Sequence, residues 1–277
     1  MKLGELLMDA QARLGDVSDS PRLDAELLMA HCTEWSRGQL FMRLRDPVDP
    51  AVQAEFEALL ARRMRGIPIA YLLGERGFWT FDLAVTPDVL VPRPETELLV
   101  EWALQLLEAH ESPRVADLGT GSGAIALALA SERPDAQIDA TDLSAAALEV
   151  ARGNAERLGL KQLRFAQGHW FEALSGRYDL IASNPPYIAH ADPHLEGLRH
   201  EPLMALTDGA DGLNALREII AAAPAWLVAG GWLLVEHGYD QGEAVRRLFG
   251  QTGFSEVSTR RDYGGQERCS AGRWEQT

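Results

Sequence analysis

The sequence is poor in cysteine, in unbroken apolar runs and in positive charge. Its 277 residues include two cysteines, Cys32 and Cys269. Two isolated thiols make no disulfide framework, which points to a reducing, cytoplasmic setting. The longest apolar stretch, residues 219–235, is interrupted by Pro224 and by Gly230-Gly231. It reads as a helix, a turn and a strand, because a membrane span needs a longer unbroken run. No secretory leader is visible, since Met1-Lys2 runs straight into Leu3-Gly4-Glu5. Lysine and arginine total 26 against 41 acidic residues, a formal net charge of −15. That balance argues against a protein whose main task is gripping bare phosphate backbones. It fits a small-molecule cofactor and a basic protein partner.

What is present suffices for a sizeable core, with 46% hydrophobic residues. The length accommodates two domains. Leu3, Leu6, Leu7 and Leu14 recur at helical spacing. Ser20-Pro21 opens a second helix with Leu23, Leu27 and Leu28 on one face, and Pro50 opens a third over residues 51–65, closed by Gly66. Residues 1–73 therefore read as a small all-helical domain. Phe78, Trp79, Phe81, Leu83 and Val85 then suggest a hairpin, followed by Pro87, Pro92 and Pro94. Residues 74–93 form this hairpin and proline-rich linker.

Residues 94–277 read as a catalytic domain. A helix is expected over 96–110. Strands are expected at 115–118, 137–143, 163–166, 178–183 and 232–236, with helices over 125–130, 144–158 and 215–227 between them. Such alternation means a Rossmann-like, doubly wound, mostly parallel sheet of the α/β class. Residues 255–259 and 268–273, joined across Gly264-Gly265, add a C-terminal antiparallel hairpin.

The first strand of this domain runs into Asp117-Leu-Gly-Thr-Gly-Ser-Gly123. Glycines let the backbone turn tightly and come close to a ligand, and the helix behind them presents free amides. Gly119, Thr120, Gly121, Ser122 and Gly123 are the candidate cofactor-binding residues. Asp142 ends the next strand, nineteen positions beyond Gly123, where an acid reaches ribose hydroxyls. The loop taken alone fits an unliganded turn. Its Gly119-x-Gly121-x-x-Ala124 spacing also fits a nicotinamide enzyme.

Asn184-Pro185-Pro186-Tyr187 narrows the choice. It follows the apolar strand 178–183, where ligands bind in open α/β sheets. Two successive prolines stiffen the turn and leave the Pro185 carbonyl free to accept. Asn184 adds a side-chain acceptor, and Tyr187 an aromatic face. The pair of acceptors suits a planar –NH2 group, whose lone pair is delocalised and must be turned toward an electrophile. Orientation and desolvation then do most of the catalysis. An Asn-Pro turn is a common strand ending, but its coincidence with the glycine loop and Asp142 argues for an amino-group methyltransferase. Asn184, Pro185 and Tyr187 are the candidate catalytic residues, and Pro186 joins them in binding substrate.

These motifs resemble class I S-adenosylmethionine-dependent methyltransferases that act on planar nitrogens. Val91-Pro-Arg-Pro-Glu-Thr-Glu97, Glu201-Pro-Leu-Met-Ala-Leu206 and Asp262-Tyr-Gly-Gly-Gln-Glu-Arg268 narrow the resemblance to the bacterial peptide-chain-release-factor N5-glutamine methyltransferases, over nearly the whole chain. The resemblance implies S-adenosyl-L-methionine as cofactor. It implies the glutamine of the Gly-Gly-Gln motif of class I release factors as substrate, and a recognition role for residues 1–73. Residues 119–123 would line the methionine and ribose, Asp142 would bind the ribose hydroxyls, and Trp170 would border the adenine. Asn184 would also face the cofactor, and Arg93 and Glu95 would shape the site. His169 departs from the acidic residue that often stands there in relatives, leaving the contact to the adenine amino group open.

An adenine-N6-type nucleic-acid methyltransferase would use the same Asn-Pro-Pro-Tyr turn. Net acidity and the lack of a basic arm count against it, so no direct nucleic-acid binding is expected. His190, His194 and His200 share a loop with acids, but their spacing fits no common zinc pattern and no metal is expected. Gly264-Gly265-Gln266 repeats the presumed substrate motif, yet reads as a hairpin closure. No membrane association is expected, and the chain is expected to act as a monomer.

Overall fold

The computed structural model describes residues 1–276. It divides into two compact units, residues 1–75 and residues 76 onward. The first unit contains α1 (Leu3–Arg13), α2 (Pro21–Thr33), α3 (Arg37–Met42), α4 (Pro50–Arg63) and α5 (Ile69–Leu73). Pro21 and Pro50 sit at first helical positions, where a missing N–H costs nothing. The Asp49 side chain caps α4 by accepting from the Ala51 amide at 2.8 Å. α4 ends at Arg63 rather than Arg65, because Arg65 and Gly66 close back onto Arg62 and Arg63 in a tighter turn. Leu3, Leu6, Leu14, Leu28, Met29, Phe56 and Leu60 form the core. The expected face of α2 is rotated: Leu23 is 37% exposed, while Asp24 and Glu26 are buried. Salt bridges move the face. Asp24 accepts from Arg63 at 2.7 Å, and Glu26 from Arg22 at 2.7 Å and Arg37 at 2.6 Å.

The second unit opens on a two-stranded sheet, β1 (Glu75–Phe78) and β2 (Phe81–Ala84), then a 3-10 turn (Pro94–Thr96) leading into α6 (Glu97–Leu106). β3 (Arg114–Leu118), α7 (Ala124–Glu132), β4 (Gln137–Asp142), α8 (Ala145–Leu158), β5 (Leu163–Gln167) and β6 (Tyr178–Ser183) follow. After α9 (His194–Gly197) and a 3-10 turn (Leu203–Ala205) come α10 (Asn214–Ala222), β7 (Leu227–Glu236), α11 (Gly242–Thr252), β8 (Ser255–Arg261) and β9 (Glu267–Trp274). The sheet order is β5-β4-β3-β6-β7-β9-β8. The four pairings from β5 to β7 are parallel, and those of β7 with β9 and of β9 with β8 are antiparallel. This is the expected doubly wound sheet with a terminal hairpin. α7 is buried from Ala124 to Ala130, which explains its uniformly small or apolar sequence.

The structure corrects the reading of residues 215–236. The helix stops at Ala222, a 3-10 turn carries Pro224, and Leu227 is already strand. Gly230 and Gly231 lie inside β7 and not in a turn before it. The register with β6 jumps from Tyr178–Leu227 to Leu180–Trp232, and Gly230 absorbs this bulge at φ 83°. α11 is a further element without a counterpart among the expected ones, its glycines obscuring the buried pair Val245 and Phe249. Among the described residues no helix is long and apolar enough to cross a membrane.

Candidate active site

The order of strands reverses between β3 and β6, and the crevice beyond their carboxyl ends is where ligands bind in such sheets. Leu118 and Ser183 pair there, and the Ser183 hydroxyl donates to the Leu118 carbonyl at 2.8 Å. The glycine loop and the Asn-Pro-Pro-Tyr turn therefore leave the sheet side by side. Both border a cavity of about 390 Å³, within the usual size for small-molecule sites.

In the loop, Gly119, Thr120, Gly121 and Ser122 line the cavity. The amides of Gly119 and Thr120 donate to the Thr141 carbonyl at 2.9 Å, which hangs the loop on β4. Gly121, at φ 55°, has open space where a side chain would project, so its backbone is left bare to a ligand. Gly123, at φ 88°, is not in the wall. It turns the chain into α7, where a Cβ would meet Leu127 at 2.8 Å. Asn154 of α8 donates to the Ser122 carbonyl at 2.9 Å and bonds both backbone groups of Ala84, tying loop and β2 together.

Asp117 lies beneath the loop, fully buried. Its Oδ2 accepts from the Thr120 hydroxyl at 2.6 Å and the Ala126 amide at 3.2 Å, while Oδ1 has no partner. Burial pushes its carboxyl up to about 7. Asp142 lines the cavity and accepts from the amides of Gly121 at 2.9 Å and Ser144 at 2.8 Å. Burial outweighs these bonds and raises its carboxyl above the ordinary value.

Trp170 enters the wall at φ 46°, with its indole against Gly119, where a Cβ would meet the ring at 3.2 Å. The Trp170 carbonyl accepts from the Thr141 hydroxyl at 2.8 Å. His169 also lines the cavity, and Glu218 of α10 faces both residues. Glu218 accepts from the Trp170 indole at 3.2 Å and lies 3.3 Å from His169 Nδ1. An acid thus stands beside position 169, supplied by another element.

On the opposite wall, Asn184 and Pro186 face the cavity, while Pro185 is buried and Tyr187 is half-buried behind them. The Tyr187 hydroxyl donates to Glu236 at 3.1 Å, and the Thr96 hydroxyl donates to the other oxygen of Glu236 at 2.7 Å. Asn184 Nδ2 donates to Thr96 Oγ1 at 3.1 Å. Glu236 is fully buried at the end of β7, and burial raises its carboxyl despite these donors. Burial likewise raises the Tyr187 phenol, so the tyrosine remains a donor. Arg93 lines the cavity and pairs with buried Glu201 at 2.6 Å, whose second oxygen accepts from the Val91 amide at 3.0 Å. Glu95 is exposed and is not part of the wall. Glu218 and Glu236 escaped the reading of the sequence, and Thr96 and Glu201 stood in its quoted segments without a role. For Glu236 a signal existed, a carboxylate closing the apolar strand Leu233-Leu-Val-Glu. Among the described residues no cluster could hold a metal ion.

Two family profiles match the chain, a PrmC N-terminal domain over residues 5–74 and a methyltransferase small domain over residues 95–199. The release factor glutamine methyltransferase of Xylella fastidiosa is 54% identical over 91% of this chain and 93% of its own length. That of Coxiella burnetii is 48% identical over 99% of both. This chain belongs to the release factor glutamine methyltransferase family. A solved methyltransferase from Pyrococcus furiosus shares the fold, with TM-score 0.54 and 20% identity over 72% of this chain and 91% of that one.

The residues present fit the family's methyl donor, S-adenosylmethionine. Gly121 leaves a bare backbone edge, and Asp117 keeps an unpartnered oxygen under the loop. Asp142 retains acceptor capacity on each oxygen beyond the amide it already holds. Leu143, 51% exposed at the cavity, and Trp170 offer apolar surface to a base.

Proposed function

We propose that this protein transfers the methyl group of S-adenosylmethionine to the side-chain amide N5 of the glutamine in the Gly-Gly-Gln motif of class I peptide chain release factors. The observation that carries this reading is the meeting of the glycine loop and the Asn184 turn at one cavity, in a chain about half identical to release factor glutamine methyltransferases. When bound, the cofactor supplies an electrophilic methyl on a sulfonium.

The chain's own residues do the rest. Residues 119–122 would hold the methionine and ribose portions, with Gly123 turning the chain into α7 behind them, Asp142 would accept from the ribose hydroxyls, and Trp170 would border the adenine. Asn184 Oδ1 and the Pro185 carbonyl each accept one N–H of the substrate amide. Holding both N–H bonds turns the nitrogen lone pair out of conjugation and toward the reacting carbon. Pro185 and Pro186 fix φ, so no reorganisation is needed at that moment. Once alkylated, the nitrogen is acidic and releases a proton, so no strong base is required. Tyr187 braces the turn from behind. Arg93, pinned by Glu201, shapes the rim.

Residues 1–73 recognise the release factor, since a glutamine side chain offers few contacts and remote surface must hold it. The protein works in the cytoplasm as a monomer and does not grip nucleic acid directly. The deciding assay offers labelled S-adenosylmethionine with a release factor, tRNA, rRNA and DNA. Label in the Gly-Gly-Gln glutamine alone is expected, and label in nucleic acid overturns the reading. A chain lacking residues 1–73 should methylate the whole release factor far more slowly, yet a short Gly-Gly-Gln peptide at nearly the same low rate. Equal slowing of both substrates overturns the recognition role.

A further inference from the structure

We propose that Thr96 and Glu236 are positioning residues that fix which end of the Asn184 amide faces the substrate. The inference deepens the functional reading above and rests on it.

Three separate segments converge on this relay. Thr96 ends the 3-10 turn before α6, Asn184 follows β6, and Glu236 closes β7. An asparagine side chain presents an acceptor at one end and two donors at the other, nearly identical in shape. Rotation by half a turn would exchange them and aim N–H bonds at the N–H bonds of a substrate amide. Packing alone cannot prevent this, so the surrounding hydrogen bonds must.

The direction of the relay is set at Glu236. Both its oxygens face a hydroxyl, Thr96 at 2.7 Å and Tyr187 at 3.1 Å, in a fully buried site. A carboxylate only accepts, so each hydroxyl spends its single proton there. Thr96 Oγ1 is left with lone pairs alone on its other side. It can only accept from Asn184, which it does at 3.1 Å from Nδ2. The Asn184 carbonyl oxygen is thereby committed to the opposite side, where the residue borders the cavity. Tyr187 shares the same acceptor, so the two ends of the Asn-Pro-Pro-Tyr turn are anchored on one buried carboxylate. The Val91–Glu97 segment now has a physical reason for its threonine: 4% exposed, it ends the 3-10 turn that Pro94 opens and reaches Asn184 and Glu236 at the two strand ends.

Three full-length variants test the relay, with kcat and KM measured on an intact release factor and S-adenosylmethionine affinity by titration calorimetry. Thr96→Val keeps the shape and removes the acceptor. Glu236→Gln replaces one of the two acceptor oxygens by a donor, so the Thr96 hydroxyl is no longer obliged to spend its proton there. Both should lower kcat by on the order of 10–100-fold, with cofactor affinity and KM within about twofold of wild type. Thr96→Ser retains the hydroxyl and should restore most of kcat. A Thr96→Val enzyme with wild-type kcat overturns the proposal, as does Thr96→Ser failing like valine. Parallel loss of kcat and cofactor affinity also overturns it, since that marks a collapsed site. If the wild-type chain leaves the release factor unlabelled, the functional reading fails and takes this one with it.

Discussion

The two units bury carboxylates in different ways. In the helical unit Asp24 and Glu26, both nearly inaccessible, are neutralised by arginines: Arg63 holds Asp24, and Arg22 and Arg37 hold Glu26. In the catalytic unit Asp117 and Glu236 are fully buried, and their hydrogen bonds come only from hydroxyl and amide groups. A paired buried carboxylate fastens elements together, and α2 is locked by its arginines to neighbouring helices. An unpaired one is costly, so its place needs another reason. Both unpaired acids stand directly behind the cavity walls, under the glycine loop and behind Asn184. Glu201 belongs with the fasteners, since Arg93 neutralises it and the Val91 amide completes it.

The sharpest break of this contrast removes the group that Glu236 serves through Thr96. Asn184→Ala should cut turnover by on the order of 100–1000-fold, with the thermal midpoint unchanged, because Asn184 faces a cavity and not the core. Near-normal turnover in the purified variant would end the mechanism. Next, Asp24→Ala strands Arg63 and should lower unfolding free energy by about 3 kcal/mol, with kcat of the still-folded enzyme near wild type. Urea titration and steady-state kinetics on one preparation check both halves. A large loss of kcat without a loss of stability would place Asp24 in the wrong class. Third, Asp142→Ala should weaken S-adenosylmethionine binding by roughly 1.5–3 kcal/mol through lost charge-assisted hydrogen bonds. Unchanged affinity by calorimetry would mean that its oxygens serve only the Gly121 and Ser144 amides.

The finest measurement concerns the sign of the pH dependence. Burial raises the Glu26 carboxyl, but the hydrogen bonds from Arg22 and Arg37 outweigh it and leave the group lowered. Its stabilisation is therefore present above its unfolded value and lost as pH falls. Asp117 behaves oppositely. Burial raises it to about 7, so the folded state holds a proton that the unfolded chain gives up near 4, and stability drops as pH rises between those values. Without cofactor, Asp117→Asn should flatten the loss between pH about 4 and about 7, and Glu26→Gln the loss on the acid side. The same sign for both variants would dissolve the contrast.

Much of the site was legible because its chemistry is contiguous along the chain. The glycine loop, Asp142 and Asn184-Pro-Pro-Tyr each carry their meaning in local backbone geometry, and all three reach the cavity. Alternation of strand and helix gave the sheet, and proline at first helical positions gave α2 and α4. Failures came where tertiary partners override local pattern. Leu23 looked like core, but the arginines bonded to Asp24 and Glu26 turn α2 away from it. The pair Gly230-Gly231 looked like a turn, but β6 recruits it as a bulge. His169 looked like a lost acid, but Glu218 stands beside it from an element 48 residues away from Trp170.

The sequence by itself determined the class of fold, the loop that can approach a cofactor and the stiff turn that can hold an amide, since these follow from glycine, proline and strand periodicity within a few residues. Only the tertiary structure decided which way that amide is held. The relay joins Thr96 to Asn184 across 88 positions and to Glu236 across 140. Hydrogen-bond direction is a property of three groups meeting at bonding distance, and only the sheet order that sets β6 beside β7 under the start of α6 brings them there.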